Sequence, residues 1–209
     1  MHLLLTDRLT CPRCGPEFGL ILLADRMEDR RVVDGTLGCA NCRDGFPIRR
    51  GFGDLRAPPR EDLPPGRAGD PGAADPAEAE RLAALVGVAE GPGTLALVGG
   101  VARYAHHFAE TLTGVEVVAV DPALSRWPDV PGVSRMAARP GLPFFGRTLR
   151  GVAVDGQLGP RWIRESARVV APLGRVVVVT AGQGGRDALV GSGLGILADE
   201  SGTIVAARG

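Results

Sequence analysis

Two Cys-x2-Cys pairs constrain this chain more than any other feature: Cys11-Pro12-Arg13-Cys14-Gly15 and Cys39-Ala40-Asn41-Cys42. Twenty-four residues separate Cys14 from Cys39. Two residues between thiolates let one tight turn aim both sulfurs at a single point, and Gly15 relieves the backbone where it curls beneath a metal. Two such turns, one per hairpin, build a closed tetrahedral site from Cys11, Cys14, Cys39 and Cys42. A closed four-sulfur site leaves no position for water, so its Zn2+ is structural. It helps to fold a module too small to fold on its own core. Two redox dithiols, or unrelated buried cysteines, are the alternatives. The long gap between the pairs predicts a hairpin, with one apolar strand over 19–23 and its mate near 31–33.

Composition narrows the rest. Of the 209 residues 44% are apolar, enough for a core, and the net charge is zero. No global field therefore draws the chain to nucleic acid or anionic lipid. Residues 1–56 carry nine arginines against eight acids, so the metal module has no basic footprint either. Arg49-Arg50 beside Phe46 and Phe52 is the one cluster that suggests RNA. The chain has no lysine, which excludes a lysine nucleophile or Schiff base. No apolar run approaches the roughly 20 residues of a membrane helix. Leu3-Leu4-Leu5 is too short for a signal-peptide core and is soon interrupted by Asp7 and Arg8. A cytoplasmic chain is expected, and there four paired cysteines suggest metal before disulfide.

The cysteines end before residue 57. Residues 58–77, rich in Pro, Gly, Ala and acid, read as a linker or loosely packed strap. A helix is predicted over 77–89, capped by Asp75-Pro76 and stopped by Gly91-Pro92-Gly93. Beyond it strands are predicted at 94–98, 115–120, 133–137 (weak), 151–154 and 175–180. Helices are predicted at 102–112 and 160–170. Residues 181–193 read as a short glycine-rich loop, and 194–198 with 203–207 as a terminal hairpin. Continuous Val runs imply strands buried on both faces, hence a mostly parallel sheet covered by helices and closed by the antiparallel hairpin.

Two resemblances follow. Gly35-Thr36-Leu37-Gly38-Cys39-Ala40-Asn41-Cys42, then Gly45-Phe46-Pro47-Ile48-Arg49-Arg50-Gly51-Phe52-Gly53-Asp54-Leu55-Arg56, resembles the Trm112-type zinc ribbon over residues 1–57. That likeness implies a β-rich zinc module and a protein-partner role, to a methyltransferase. Residues 78–209 resemble a class I S-adenosylmethionine (SAM)-dependent methyltransferase. The likeness rests on Thr94–Ala105, Val117-Val118-Ala119-Val120-Asp121-Pro122, Leu142-Pro143-Phe144 and Glu165–Val179 in the family's order. It implies an α/β Rossmann-like fold and SAM as the cofactor.

The resemblance also shows what is missing. The family's acid late in the first strand, which holds the cofactor's amino end, falls on Ala96. Its three turn glycines fall on Val98, Gly100 and Ala102, with Gly99 offering some slack. Asp121 occupies the place of the acid that accepts hydrogen bonds from the ribose hydroxyls, or else simply caps a strand end. No acid precedes Leu142-Pro143-Phe144, where Ala137-Ala138-Arg139-Pro140 stands, and Asp155 ends the fourth strand. If SAM binds, Gly99, Gly100 and Asp121 are the residues to hold it. His106 or His107 could serve as a base, and Tyr104 or Trp127 could line an adenine pocket, with surface or core packing as the plainer role. Trp162 reads as helix packing. Scaffold residues kept and ligand residues lost imply a non-catalytic binding or scaffolding protein. The alternatives are an active methyltransferase whose zinc module selects substrate, and a nucleic-acid-binding zinc protein.

Overall fold

The computed structural model describes residues 1–64 and 74–209. Part of the expected linker, 65–73, lies outside the described residues.

The N-terminal part is β-rich. A single helical turn, α1 (Leu3–Thr6), leads to β1 (Thr10–Cys11), β2 (Gly15–Glu28), β3 (Arg31–Cys39), β4 (Gly45–Arg49) and β5 (Phe52–Arg56). The hairpin expected between the cysteine pairs is present and far longer than its apolar residues suggested. β2 and β3 pair from Leu20↔Cys39 to Glu28↔Arg31. They close on Asp29-Arg30, both at positive φ, the twist that a two-residue hairpin turn requires. The outer half of this ribbon is polar and held in part by ion pairs such as Arg26–Asp34 at 3.1 Å, so an apolar pattern could not mark its length.

The remainder alternates strands and helices: α2 (Pro76–Val86), β6 (Glu90–Val98), α3 (Ala105–Thr111), β7 (Thr113–Val120), β8 (Val133–Arg139), β9 (Leu149–Asp155), α4 (Pro160–Val169), β10 (Val170–Val179), α5 (Gly185–Val190), β11 (Gly195–Glu200) and β12 (Thr203–Ala207). Asp75 caps α2 as expected, its carboxylate accepting from the Ala77 amide at 3.0 Å. The helix stops earlier than expected, at Gly87 in the left-handed region, and Gly91-Pro92-Gly93 lies within β6. The helix expected over 102–112 starts as tight 3-10 turns, Gly99–Tyr104, and only Ala105–Thr111 is α-helical. The weak strand at 133–137 is a fully formed central strand. Its buried Ser134 and Arg135 are why hydrophobicity marks it only weakly. β10 begins at Val170, and Pro172-Leu173-Gly174 forms an irregularity inside the strand instead of a break before it. The glycine-rich loop over 181–193 contains α5.

β6, β7, β8, β9 and β10 run parallel; β12 pairs antiparallel with β10 and β11 with β12. Their spatial order is β8-β7-β6-β9-β10-β12-β11. The chain therefore winds outward from β6 to β8, returns to β9, and winds the other way. Such a reversal opens a crevice at the carboxyl ends of the strands beside it. Alternation along β6 sends Ala96 and Val98 to one face and Leu95 and Leu97 to the other, each into its own buried cluster.

The two parts share one twelve-stranded sheet. β5 runs parallel to β8 in register from Phe52↔Arg135 to Arg56↔Arg139. Across this seam the Thr10 amide donates to the Pro143 carbonyl at 2.9 Å and the His2 amide to Ser134 Oγ at 2.9 Å. Arg135, 2% exposed, donates to the carbonyls of Leu124, Trp127 and Arg50, tying both parts to one guanidinium. One apolar cluster contains Leu9, Cys11, Phe46 and Ile48 together with Phe144, Leu149 and Ile163. No helix among the described residues is long and apolar enough to cross a membrane.

Candidate metal centre and ligand groove

The four cysteines meet. Their sulfurs lie within 4.8 Å of one another, with Cys11–Cys42 at 3.7 Å and Cys14–Cys39 at 3.8 Å. A tetrahedron of thiolates about 2.3 Å from a metal has edges of about 3.8 Å. A disulfide would need about 2.05 Å, so the cross-paired sulfurs are spaced for a shared ion rather than for two bridges. Each knuckle turns through a positive φ just after its second cysteine, at Gly15 (+103°) and at Arg43 (+61°). Gly15 was legible as a turn residue; Arg43 was not, because a non-glycine residue reaches that region only when its surroundings require it.

Two of the sulfurs accept hydrogen bonds from nearby N–H groups. The Cys14 amide points at Cys11 Sγ (3.3 Å) and Asn41 Nδ2 at Cys14 Sγ (3.3 Å). Burial raises the Cys11 thiol and pushes Cys42 up to about 12. At Cys39 burial is the largest single influence and raises the pKa, but the backbone N–H groups of Cys42 and Asn41, together with side-chain hydrogen bonds to Cys11 and Cys42, outweigh it and bring the thiol to about 7. At the rim Arg13 pairs with Asp44 at 2.9 Å. The donor set and its geometry fit a metal ion held by four thiolates.

A second site lies at the carboxyl ends of the parallel strands. A groove of about 660 Å3 is walled by Val98 and Gly99 after β6, Val120 to Pro122 after β7, Ala138 to Pro140 after β8, and Leu158, Arg161 and Trp162 beyond β9. Ala57, Pro58 and Pro59, the segment that leaves β5, form its remaining wall. The four-cysteine part thus delivers one side of the groove. Its volume falls in the ordinary range for small-molecule sites, about 300–1,000 Å3.

Gly99 and Asp121 stand on this wall; Gly100 does not. Gly100 faces a separate cleft with Tyr104 and Asp155, where a Cβ at position 100 would come within 2.7 Å of Asp155 Oδ2. Asp121 uses one oxygen to cap the turn after β7, accepting from the Ala123 amide at 2.8 Å. Its other oxygen has no hydrogen-bond partner among the described residues. Ala96 is fully buried in the sheet, and no carboxylate takes its place in the groove. Ala102 packs in the cluster on the other face, so of the two side chains replacing turn glycines only Val98 reaches the groove.

The structure also places four further groups that the sequence singled out. His106 and His107 do not line the groove: His106 Nε2 lies 3.4 Å from Glu110, and His107 Nε2 lies 3.0 Å from the Ala74 carbonyl. Tyr104 and Trp127 pack in or against the opposite apolar cluster. Trp162, read as helix packing, does pack against the apolar cluster, and it also lines the groove. Its place on the groove wall was not legible, because it depends on how α4 enters from Gly159, at φ +90°, and not on helical spacing. Phe46 and Phe52 are buried, so neither can stack on a base beside Arg49-Arg50.

No family model matches the sequence, and a search of curated proteins finds no match. Solved structures do match in shape. Geranyl diphosphate methyltransferase in complex with SAM superposes with TM-score 0.53 and 14% identity, over 68% of this chain and 94% of that one. The [4+2]-cyclase SpnF superposes with TM-score 0.50 and 18% identity, over 66% of this chain and 65% of that one. A chain from the complex of the Haloferax volcanii Trm112 methyltransferase activator with a methyltransferase reaches TM-score 0.49, with 15% identity over 63% of this chain and 89% of that one. The first two carry different named chemistries, so likeness to them leaves the reaction open. What the likeness establishes is that this chain has the Rossmann-like methyltransferase fold, built on a mixed sheet with parallel central strands.

Proposed function

We propose that this is a non-catalytic protein of the methyltransferase fold, stabilised by a structural Zn2+ in a Trm112-like ribbon, that binds a ligand or partner without transferring a methyl group. We divide it into a zinc module (1–57), a linker (58–77) and a Rossmann-like unit (78–209). The observation that carries this reading is the groove's lining. Asp121 is its one carboxylate, and no histidine stands on its wall. A proton-transfer base must reach its proton within about 3 Å or through one water. Only Asp121 is positioned for contact, and one of its oxygens is already committed.

Zinc is favoured over other thiolate-bound metals by the closed four-cysteine set in two Cys-x2-Cys turns. Reduced thiols in such a cluster support a cytoplasmic setting. The scaffolding role has a surface to work through. On the outer side of β2, Ile21 and Leu23 are 59% and 63% exposed, and beyond Leu20 that strand edge has no neighbour among the described residues. The edge of β5 is not free for a partner, because β8 occupies it.

Isothermal titration of the zinc-loaded chain with SAM tests the reading. Absent or millimolar binding is expected, and micromolar binding would overturn it. A second reading, an active SAM-dependent methyltransferase, is favoured by one observation: an open groove with Gly99 and Asp121 on its wall. On that reading Asp121→Ala abolishes SAM binding, and unchanged binding would remove it.

A further inference from the structure

The groove's charge does not suit the ligand for which its fold is known. Its wall carries two guanidinium groups, Arg139 and Arg161, against the single carboxylate of Asp121. Arg161 stands exposed in the first turn of α4 and makes no hydrogen bond or ion pair among the described residues. Arg139 spends one nitrogen on the Pro59 carbonyl, at 3.1 Å, and keeps the rest of its fork. The neighbouring acids are committed elsewhere. Glu165 is paired with Arg168 at 2.8 Å and Asp54 with Arg56 at 2.7 Å, while Asp155 caps the turn after β9. Glu61 and Asp62 are exposed, outside the wall, and act on Arg56. SAM carries a sulfonium and an ammonium against one carboxylate, so a net positive ligand would meet a net positive site.

We infer that the groove takes a nucleoside with an anionic tail, of the nucleoside 5′-phosphate class, with Arg161 and Arg139 facing the phosphate. The inference rests on the reading that the groove binds rather than transfers. Each part of such a ligand has a counterpart on the wall. The uncommitted oxygen of Asp121 accepts from a ribose hydroxyl. Trp162, half-buried, and the apolar faces of Pro140 and Leu158 offer a platform for a base. A guanidinium fork matches phosphate oxygens in pairs, and arginine keeps its charge at any physiological pH. Because Pro58 and Pro59 close the other side, the bound nucleotide would touch both parts of the chain.

The experiment is isothermal titration of the full zinc-loaded chain with ADP, SAM and S-adenosylhomocysteine, repeated on Arg161→Glu and Asp121→Asn. Arg161 makes no hydrogen bond or ion pair among the described residues that its replacement would strip, so an unchanged melting temperature will confirm that Arg161→Glu folds. We expect ADP to bind at least about tenfold more tightly than SAM and to weaken as salt rises. Arg161→Glu should lose at least about tenfold for ADP with no loss for SAM, and Asp121→Asn should weaken ADP. If neither ADP nor SAM binds, or if Arg161→Glu leaves ADP binding unchanged, the nucleotide inference falls and the non-catalytic reading stands. If SAM binds at micromolar concentration and more tightly than ADP, both fall together.

Discussion

Gly99 sits at φ +76° where the chain leaves β6 to form the floor of the groove, a conformation that costs a residue with a Cβ about 1–2 kcal/mol. An added Cβ would also lie 2.7 Å from Leu158 Cδ1 and 3.1 Å from Asp155 Cβ. Gly99→Ala is expected to destabilise by about 2 kcal/mol and lower the melting temperature by about 4–8 °C. It should also push Leu158 into the groove, so a ligand that binds the native chain should bind the variant less well in a calorimeter. Gly100 is different. Its φ is unremarkable and its crowding is with Asp155 in the neighbouring cleft, so the two adjacent glycines that looked equivalent in the sequence serve separate places. Backbone angle and approach decide such roles, and neither is written in residue type alone.

At the scale of elements, α4 packs on the core through Ile163, Ala167 and Val169 and is pinned by one polar side chain. Arg168 donates to the carbonyls of Phe144 and Leu142, both at 2.7 Å, and pairs with Glu165, which in turn accepts from the Leu142 amide. This staple fixes the helix carrying Trp162 and Arg161 against the segment after β8. Arg168→Ala leaves two carbonyls without their donor and should cost about 2–3 kcal/mol, measured by urea denaturation. Arg168→Lys cannot reproduce the fork and should recover less than half of that loss. The strands and helices were legible where apolar residues kept a period, as in β7, β9 and α4. They were marked only weakly where burial is polar, as at Ser134 and Arg135 in β8, and misjudged where turns tighten, as at Gly99–Tyr104.

For the whole molecule, the continuous sheet couples the four-cysteine cluster to the groove. β4 and β5 run from beyond the second knuckle to the Ala57–Pro59 wall, and a single apolar cluster holds Cys11 and Cys39 with Phe144 and Leu149. Removing zinc with a strong chelator, or by Cys42→Ser, should therefore lower the melting temperature in one shared transition, followed by circular dichroism. Two separate transitions would contradict a common core. The pH dependence has a definite sign. Metal binds thiolates, and with Cys11 raised and Cys42 pushed up to about 12, binding near neutrality expels protons. Zinc retention should fall as pH falls and rise as pH rises, each displaced proton contributing about tenfold in affinity per pH unit. A zinc-sensitive dye reads this directly.

The amino-acid sequence by itself determined the four paired cysteines, the alternation of strands and helices, and the absence of an acid at position 96. Each of these depends on residue type at short spacing, where one turn or one strand is the whole geometry. Only the tertiary structure decided that β5 docks on β8, that Gly99 and Asp121 share a groove that Gly100 leaves, and that Trp162 and the two prolines enclose it. Those facts depend on which distant segments meet across the sheet. That choice is made by the packing of both faces together, and no local pattern carries it.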